Sequence, residues 1–420
     1  MICWITERLG TAPFSSVLPE GAVRVDIREL VDRGGNPAEE LLGRTDAALE
    51  ALESGWRVLL CCDHGISRSN AMAALVLALA EGLSFSVAVR RVLDATGDAE
   101  MHLDMLGTAR AAYARRSGEA EIRRDDSCWL LTGGQGYLGS ALRRAAPPGV
   151  RIAAPSHGEL DLLRGSAGLD LFVRDHGVSR ILHFATPRVG NVNSALGESL
   201  VMLRNVLDTC AANGASLLLP SRWEVFSGDE GTRIEADEER PLRPKGILGD
   251  TKFLLETLAQ EYAQRSGLEV TILRSGLVYG RGGGPNFMQG FVRRALGGGP
   301  IVTHAYRNGP PALDLLHQDD WVRACLSLLK DGAGGGVYHC GSGRLVQTHD
   351  VALGIATALS SPSRVEAVRI DDVTANVLLV SEKLNRATGW TPEKEFETEL
   401  PLFARDNAAT TSQTGGFHGG

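Results

Sequence analysis

Three glycines in the middle of the chain constrain its fold more than any other feature. Gly133, Gly136 and Gly139 follow an apolar run at 128–131 and precede a helical pattern. Between a strand and a helix, glycines at this spacing permit a tight turn, a close approach to a pyrophosphate and helix–strand packing. Further strand-like segments, at 150–153, 181–184, 217–219 and 270–273, alternate with helical patterns. The sequence therefore predicts an α/β protein with a Rossmann-type doubly wound parallel sheet.

The length of the chain predicts two domains, because 420 residues exceed what one hydrophobic core usually fills. Residues 113–127 are charged and nearly free of large apolar side chains, which is typical of a linker or a helix end. We predict a first α/β domain over 1–117, a linker over 118–126, and a second domain with a small C-terminal substrate lobe over 127–406. Residues 407–420 are rich in Thr, Ser and Gly, which favours a disordered tail.

Charge and cysteine content indicate the compartment and the kind of partner. The formal net charge of −8 argues against nucleic acid or an anionic membrane as a partner. The seven cysteines lack a disulfide-like spacing, which favours a reducing compartment, and no apolar run reaches membrane-spanning length. We therefore expect a cytoplasmic protein that acts on a small molecule and needs no metal ion.

A second loop whose residues suit catalysis lies in the first domain. Residues 62–69, with the sequence CDHGISRS, stand between a strand-like run at 56–61 and a helical run from Ser69 onward. Backbone N–H groups in such a loop converge on a phosphate-sized anion, and the same field lowers the pKa of a cysteine thiol. We predict that Cys62 attacks phosphorus, that Arg68 clamps two oxygens, and that Ser69 donates to the departing thiolate. The predicted phosphate-binding residues are Asp63, His64, Gly65, Ile66, Ser67 and Arg68.

This loop resembles the signature of the protein tyrosine and dual-specificity phosphatase superfamily, and the resemblance covers about the first quarter of the chain. The family usually has histidine before the nucleophile, whereas Cys61 stands there in this chain. The resemblance also implies an upstream aspartic acid that protonates the leaving oxygen. Asp32, in a flexible stretch, is the preferred candidate, and Asp26, within an apparent strand, is the alternative.

The glycine loop and four later segments resemble the extended short-chain dehydrogenases/reductases, which include NAD-dependent epimerases and dehydratases and the dTDP-4-dehydrorhamnose reductases. The segments are HFA at 183–185, RSGLVYG at 274–280, HQDDW at 317–321 and GWTP at 389–392. The resemblance implies NAD or NADP as cofactor, and a homodimer through the helical segments 193–213 and 248–262. In that family an acidic residue at the end of the second strand often selects NAD, and this chain has none there. Arg151, which is nearby, could face the 2′-phosphate of NADP, so the sequence does not decide between NAD and NADP. The implied cofactor-binding residues are Gly133, Gln135, Gly136, Tyr137, Leu138, Gly139, Asp161, Leu162, Ala185 and Lys252.

The catalytic pattern of that family is incomplete in this chain. The family has Tyr-x3-Lys, in which tyrosine moves the proton that accompanies hydride transfer. Lys252 is retained, but Leu248 stands at the tyrosine position and Arg222 at the position of the Ser or Thr partner. Glu224 matches a glutamate that removes a carbon-bound proton in the 4,6-dehydratases, so Glu224 and Lys252 are the candidate catalytic residues here.

The family's diphosphate-binding arginine is also missing. Leu313 stands at its position, and Arg281 or Arg307 is the candidate replacement. A ligand other than a nucleotide diphosphate sugar is the alternative.

Together these features favour a cysteine-dependent phosphatase for a sugar or nucleoside phosphate, fused to an NAD(P)-binding domain that modifies the same intermediate. Fusion of the two would raise the concentration of one product at the next site. Two alternatives stay open. The second domain is an inactive sensor or scaffold beside an active phosphatase, or the phosphatase acts on protein phosphotyrosine.

Overall fold

The computed structural model describes residues 1–97, 101–118, 125–187, 192–282, 286–330 and 334–414. The chain divides into two compact units. Unit 1 comprises Met1–Leu130, Pro155–Ile181 and Val201–Ser216, and unit 2 comprises Leu131–Ala154, Leu182–Leu200 and Leu217–Gly420. Within the described ranges, no helix is both long enough and apolar enough to span a bilayer.

The first 117 residues form an α/β layer structure around one short sheet. Its elements are β1 (Cys3–Trp4), β2 (Leu9–Pro13), β3 (Ala22–Asp26), α1 (Ala38–Glu53), β4 (Arg57–Cys62), α2 (Ser67–Glu81), α3 (Phe85–Thr96) and α4 (Leu103–Ser117). The strand order is β1-β2-β4-β3, and β4 runs parallel to both of its neighbours. Helix α2 is buried along its length because alanines and aliphatic residues occupy every side of it from Ala71 to Ala78. The predicted strand at 56–61 is confirmed to within one residue as β4.

A six-stranded sheet follows in the chain, and it confirms the predicted Rossmann-type fold. Its order is β14-β10-β8-β7-β5-β6, and β10 pairs in parallel with both β8 and β14. The elements up to the middle of the fold are β5 (Asp125–Thr132), α5 (Tyr137–Arg144), β6 (Arg151–Ala153), α6 (Ser166–Asp175), β7 (Val178–His183), α7 (Asn193–Asn213), β8 (Ser216–Arg222), β9 (Gly231–Ala236), α8 (Gly246–Ser266) and β10 (Val270–Ser275). Ligands of such sheets bind at the carboxyl ends of the strands, where the strand order reverses. Here that point lies between β5 and β7.

Smaller sheets and helices complete unit 2. The later elements are β11 (Leu277–Tyr279), α9 (Phe287–Leu296), β12 (Ile301–Ala305), β13 (Ala312–His317), α10 (Gln318–Lys330), β14 (Gly336–Cys340), β15 (Leu345–Gln347), α11 (Thr348–Ala358), β16 (Val365–Arg369), β17 (Ala375–Leu379), α12 (Glu382–Thr388) and α13 (Phe396–Thr414). The short sheets are β11-β13-β15, β12-β16 and β17-β9. A separate apolar cluster joins α9, α11 and α13 around Phe291, Ile355 and Phe403.

The chain does not divide at the linker that the sequence predicts. Helix α6 belongs to unit 1, because Ala167 and Leu171 are part of the same buried cluster as α2. Arg110 on α4 donates to the buried Asp170 at 3.0 Å, and Arg174 also pairs with that carboxylate. Of the predicted linker, residues 119–124 lie outside the described ranges, and Asp125 already begins β5.

The prediction of a disordered tail is wrong for residues 407–414, which continue helix α13. Asn407 is buried, its side-chain N–H donates to the Phe403 carbonyl, and its side-chain oxygen accepts from Gln289 at 3.0 Å. Ala408 packs against the apolar cluster of α9 and α11. These tertiary contacts outweigh the low apolar content of the segment. Residues 415–420 lie outside the described ranges.

A buried charge network joins α8 to the centre of the six-stranded sheet. Arg274 on β10 donates to Glu256 at 2.7 Å, and both side chains are almost wholly buried. His339 stands at 3.2 Å from the same guanidinium and at 3.0 Å from the Ala236 carbonyl. Burial, and then the charge of Arg274, lower the pKa of His339 to about 3, so its ring is neutral and accepts from Arg274.

We expect Glu256→Gln to destabilise the protein, because it leaves the Arg274 guanidinium buried without a counter-charge. Breaking such a pair by removing one partner costs about 3–5 kcal/mol. Urea unfolding followed by circular dichroism would measure the loss. Glu261→Gln, at an exposed site on the same helix, is the matched control and leaves the midpoint unchanged. Equal midpoints for the two variants would contradict the assignment.

Candidate functional site

The glycine loop of unit 2 brings the end of β5 close to the segment after β7. Gly133 has φ +67°, and a Cβ there would lie 2.6 Å from the Ala185 backbone nitrogen. A Cβ on Gly139 would overlap the Gly133 carbonyl oxygen and lie 2.7 Å from Gly134 Cα. Gly136 is the N-cap of α5. Only glycine allows this close packing, which presents the backbone and the start of α5 to a ligand.

A cavity of about 550 Å³ opens beside this loop. The candidate residues that line it are Gly133, Gly136, Tyr137, Leu138, Gly139, Ala185, Glu224 and Lys252. Gln135, Asp161 and Leu162 are not among its lining residues. Asp161 and Leu162 belong to unit 1, where Asp161 accepts from the Leu163 N–H and Leu162 is buried. The glycine cradle and the size of the cavity fit a dinucleotide, and the residues that would hold it are those of the lining.

Lys252 is a partly buried cation on the wall of this cavity. Its Nζ donates to the Pro220 carbonyl at 3.2 Å. Burial, and then the nearby charge of Arg222, lower the pKa of Lys252 to about 8. Leu248, one turn earlier on α8, also lines the cavity and offers no proton.

Arg222 and Glu224 form an ion pair on the wall of the same cavity. Arg222 reaches Glu224 Oε1 at 2.7 Å, and the glutamate side chain is 13% exposed. Glu224 therefore lies in the cavity as the sequence predicts, but with a guanidinium on one of its oxygens. His183, at the end of β7, is fully buried, and its Nδ1 lies 2.9 Å from Thr132 Oγ1. Burial, and then the charge of Lys252, lower its pKa to about 3.

In unit 1, the cysteine loop connects the end of β4 to the start of α2. Cys62 Sγ accepts from the Gly65 N–H at 3.2 Å and from the Ser69 hydroxyl at 3.1 Å. Burial raises the pKa of the Cys62 thiol, but the hydrogen bonds from Ser69, Gly65 and Ile66 outweigh it, so the net pKa is lowered. The loop therefore favours a thiolate at this position.

Gly65 lets the loop lie against the neighbouring strand. Its φ is +73°, and a Cβ there would overlap the backbone of Ala12 and Pro13 at the end of β2. Phe14, next in the chain, donates its N–H to the Cys62 carbonyl at 2.8 Å. The loop is thus fixed from the side of β2 as well as from α2.

Arg68 connects the loop to the segment that follows β3. One of its terminal nitrogens donates to the carbonyls of Arg28 and Leu30 at 3.0 and 2.9 Å. The other donates to Asp63 Oδ2 at 2.5 Å. A phosphate oxygen on Arg68 would therefore take the place of the exposed Asp63 carboxylate on that nitrogen. His64 and Ile66 are exposed on the rim of the loop.

Asp32 lies against the loop. Its Oδ1 accepts from Ser67 Oγ at 2.7 Å, and His102 Nε2 lies 3.7 Å from its Oδ2. The His102 backbone N–H in turn donates to Ser67 Oγ at 2.9 Å. His102 was not a sequence candidate, because it stands far along the chain from the loop and outside every motif.

Asp26, the alternative acid, has a different partner. It pairs with Arg28 at 2.8 Å, and that hydrogen bond lowers the pKa of its carboxyl. A carboxyl with a lowered pKa is poorly suited to donate a proton. Cys61 is buried, and its Sγ donates to the Leu59 carbonyl. Burial raises its pKa, so Cys61 does not take over the role of a histidine.

Comparison with protein families identifies the larger part of the chain. The model of the NAD dependent epimerase/dehydratase family matches residues 129–341, which is half of the chain. The chain belongs to this family. A UDP-glucose 4-epimerase of Corynebacterium glutamicum is 26% identical over 328 residues, which cover 68% of this chain and 96% of that protein. A UDP-glucose 4-epimerase of Azospirillum brasilense is also 26% identical, over 63% of this chain and 87% of its own.

Solved structures of epimerase/dehydratase-like proteins share the fold. The UDP-glucose 4-epimerase of Thermus thermophilus in complex with NAD has a TM-score of 0.59 at 24% identity, covering 67% of this chain and 98% of that one. The RMD protein of Pseudomonas aeruginosa complexed with NADPH has a TM-score of 0.57 at 21% identity, covering 67% and 99%. Family membership and the glycine cradle confirm the expected NAD(P)-binding domain. Residues 1–128 lie outside the family match.

The substrate side of this epimerase/dehydratase family member lacks the expected arginine. Leu313 lies on β13 and pairs with Val346 on β15. Arg281 lies 3.8 Å from Asp406, and Arg307 lies 3.7 Å from Asp371, so both candidate replacements already have acidic neighbours. Arg294, which the sequence did not single out, lines a second cavity of about 310 Å³ between α9 and β12. No motif signals it, since its position depends on how the two elements pack.

For the cysteine loop outside the family match, we expect Ser69→Ala to raise the pKa of Cys62, because the thiolate loses its side-chain donor. The rate of alkylation by iodoacetamide would then rise with pH through a higher midpoint than in the unaltered protein. Cys62→Ser shows which thiol reacts, because it removes the rapid alkylation that the Cys62 thiolate gives. An unchanged midpoint in Ser69→Ala would show that the hydroxyl does not stabilise the thiolate.

Proposed function

We propose that unit 1 is a cysteine-dependent phosphatase that hydrolyses a small phosphate monoester. The observation that carries this proposal is the pair of hydrogen bonds from Gly65 and Ser69 to Cys62 Sγ, in a loop that ends in Arg68. A thiolate at the centre of converging N–H groups is an arrangement for attack on a bound phosphate, because the same donors stabilise the nucleophile and the transferred group.

The first step transfers the phosphoryl group to the cysteine. Cys62 Sγ attacks phosphorus and the P–O bond to the leaving group breaks, while the loop N–H groups and Arg68 hold the three remaining oxygens. Asp32 donates its proton to the leaving oxygen, which departs as an alcohol. Its hydrogen bond from Ser67 supports this role, since that bond holds the carboxyl against the loop.

The second step releases phosphate. Asp32, now a carboxylate, removes a proton from a water molecule that attacks phosphorus, and the S–P bond breaks. Cys62 leaves as a thiolate, and the Ser69 hydroxyl donates to it at the geometry already present. Atoms balance, because one water is consumed and one alcohol and one phosphate are formed.

The substrate we propose is a sugar or nucleoside phosphate. The chain belongs to the epimerase/dehydratase family through residues 129–341, and two of the similar proteins are a UDP-glucose 4-epimerase and a UDP-glucuronate 4-epimerase. Two enzymes of one chain gain most when the product of one is the substrate of the other. A phosphotyrosine protein substrate is the competing outcome, and a comparison of peptide and sugar phosphates separates the two.

We expect Cys62→Ser to abolish release of phosphate from an aryl phosphate, and Asp32→Asn to lower kcat at least tenfold because the leaving oxygen loses its acid. Asp26→Asn is the matched control, since its carboxyl pairs with Arg28 instead. A malachite-green assay of inorganic phosphate checks all three variants. Full activity of Cys62→Ser would refute the proposal, and a larger loss in Asp26→Asn than in Asp32→Asn would reassign the acid.

A second function is supported for unit 2, which we propose binds a nucleotide sugar beside NAD(P). The cavity between α9 and β12 supports it, because the aromatic rings of Phe287, Phe291 and His304 are among its lining residues and a base can stack on such rings. Arg294 supplies a guanidinium at the same cavity and would replace the charge that Leu313 lacks.

We expect Arg294→Gln to weaken binding of UDP-glucose about tenfold or more, because a hydrogen bond to a charged group contributes roughly 1.5–3 kcal/mol. UDP-glucose carries no phosphate monoester, so the Cys62 loop does not hydrolyse it. Isothermal titration would measure the Kd. Arg293→Gln, the neighbouring exposed residue outside that cavity, is the control. Equal Kd values for the two variants would contradict this role of Arg294.

A further inference from the structure

The 550 Å³ cavity of unit 2 has a guanidinium where the family has a hydroxyl. Arg222 follows directly after Ser221 at the end of β8, and its side chain is 40% exposed on the cavity wall. Glu224 binds one of its terminal nitrogens at 2.7 Å, which fixes the direction of the fork. Arginine binds carboxylates and phosphates through two parallel N–H groups, so a held guanidinium on a cavity wall suits an oxyanion.

Ser221 adds a second donor at the same place. The residue is 1% exposed, lines the cavity, and its Oγ has no hydrogen-bond partner among the described residues. Buried hydroxyls in proteins are nearly always paired. A ligand atom that accepts from Ser221 would satisfy this group.

The charge of the cavity points to the same kind of ligand. Its lining residues include two cations, Arg222 and Lys252, and one carboxylate, Glu224. Lys252 is largely protonated at pH 7, because its pKa is about 8, and His183 is neutral. The lining therefore carries one positive charge in excess. Leu248 replaces a phenol by an apolar wall and adds no charge.

We propose that this cavity binds an anionic group of its sugar ligand, a carboxylate or a phosphate, through Arg222 and Ser221. The proposal rests on the proposed binding of a sugar beside NAD(P), and it names the class of that sugar as acidic. Arg222 is then a specificity-determining residue, and the exchange of the hydroxyl for a guanidinium changes which ligands the cavity accepts.

A matched pair of ligands tests the proposal. UDP-glucuronate and UDP-glucose differ only at C6 of the sugar, which is a carboxylate in the first and a hydroxymethyl group in the second. Their Kd values are measured by titration of the full chain loaded with NADH. We expect UDP-glucuronate to bind at least tenfold more tightly, and Arg222→Ser, which restores the family's hydroxyl, to bring the ratio close to one. Arg233→Gln, an exposed arginine of unit 2 that pairs with Glu235, is the control and keeps the ratio. Equal affinities in the unaltered protein, or an unchanged ratio in Arg222→Ser, would overturn the proposal.

A second pair of ligands keeps this result separate from the nucleotide-sugar proposal. Glucose 6-phosphate and glucose are titrated into the Cys62→Ser/Arg68→Ala chain, in which the first loop is disabled, with quenching of NADH fluorescence as the readout. Quenching by glucose 6-phosphate alone, lost in Arg222→Ser, supports the anion site even where neither UDP-sugar binds. Where neither UDP-sugar binds, quenching by neither of these two sugars, or by both alike, refutes it.

A second substitution keeps the proposal testable if Arg222→Ser does not fold. Arg222→Lys keeps the charge without the planar fork, so we expect an intermediate ratio of the two UDP-sugar affinities. A ratio in Arg222→Lys equal to that of the unaltered protein would show that charge alone, and not the fork, selects the ligand, and would overturn the bidentate role.

Discussion

Both candidate sites depend on a strand-to-helix turn in which one glycine leaves no room for a side chain. Gly65 has φ +73° and lies against the backbone of Pro13, and Gly133 has φ +67° and lies against Ala185. In each turn the close approach fixes the loop against the neighbouring segment of the fold, so that backbone N–H groups point to one place. The thiolate of Cys62 and the proposed dinucleotide site are two uses of this single constraint.

Features that depend on contiguous residues could be predicted from the sequence, and features that depend on tertiary packing could not. The sheet, its glycine loop and the cysteine loop follow from local patterns, and Ser69 bonds Cys62 as its position next to Arg68 predicts. Helix α6 joins unit 1 because its apolar side meets α2, which no local pattern reveals. The order of residues 407–414 and the position of His102 have the same origin, since each depends on a partner distant in sequence.

The departures from the family pattern at the 550 Å³ cavity form a consistent set. Leu248 stands in place of the family's tyrosine, and Arg222 stands in place of its serine or threonine. Glu224 pairs with that arginine. The Lys252 ammonium donates to the Pro220 carbonyl in the absence of a phenol at position 248. The chain therefore keeps the glycine cradle and Lys252, and it departs from the family pattern at Leu248 and Arg222.

The two candidate sites are assembled in different ways. The two donors to Cys62 Sγ, Gly65 and Ser69, come from the loop that follows it, and Asp32 meets the same loop from the segment after β3. The groups of the 550 Å³ cavity come from the turn after β5, from β8 and from α8, which are far apart in the sequence. Leu248 or Arg222 can replace a family residue there without loss of the fold. A dispersed site of this kind can change its ligand one residue at a time, whereas a loop site keeps its chemistry as a unit.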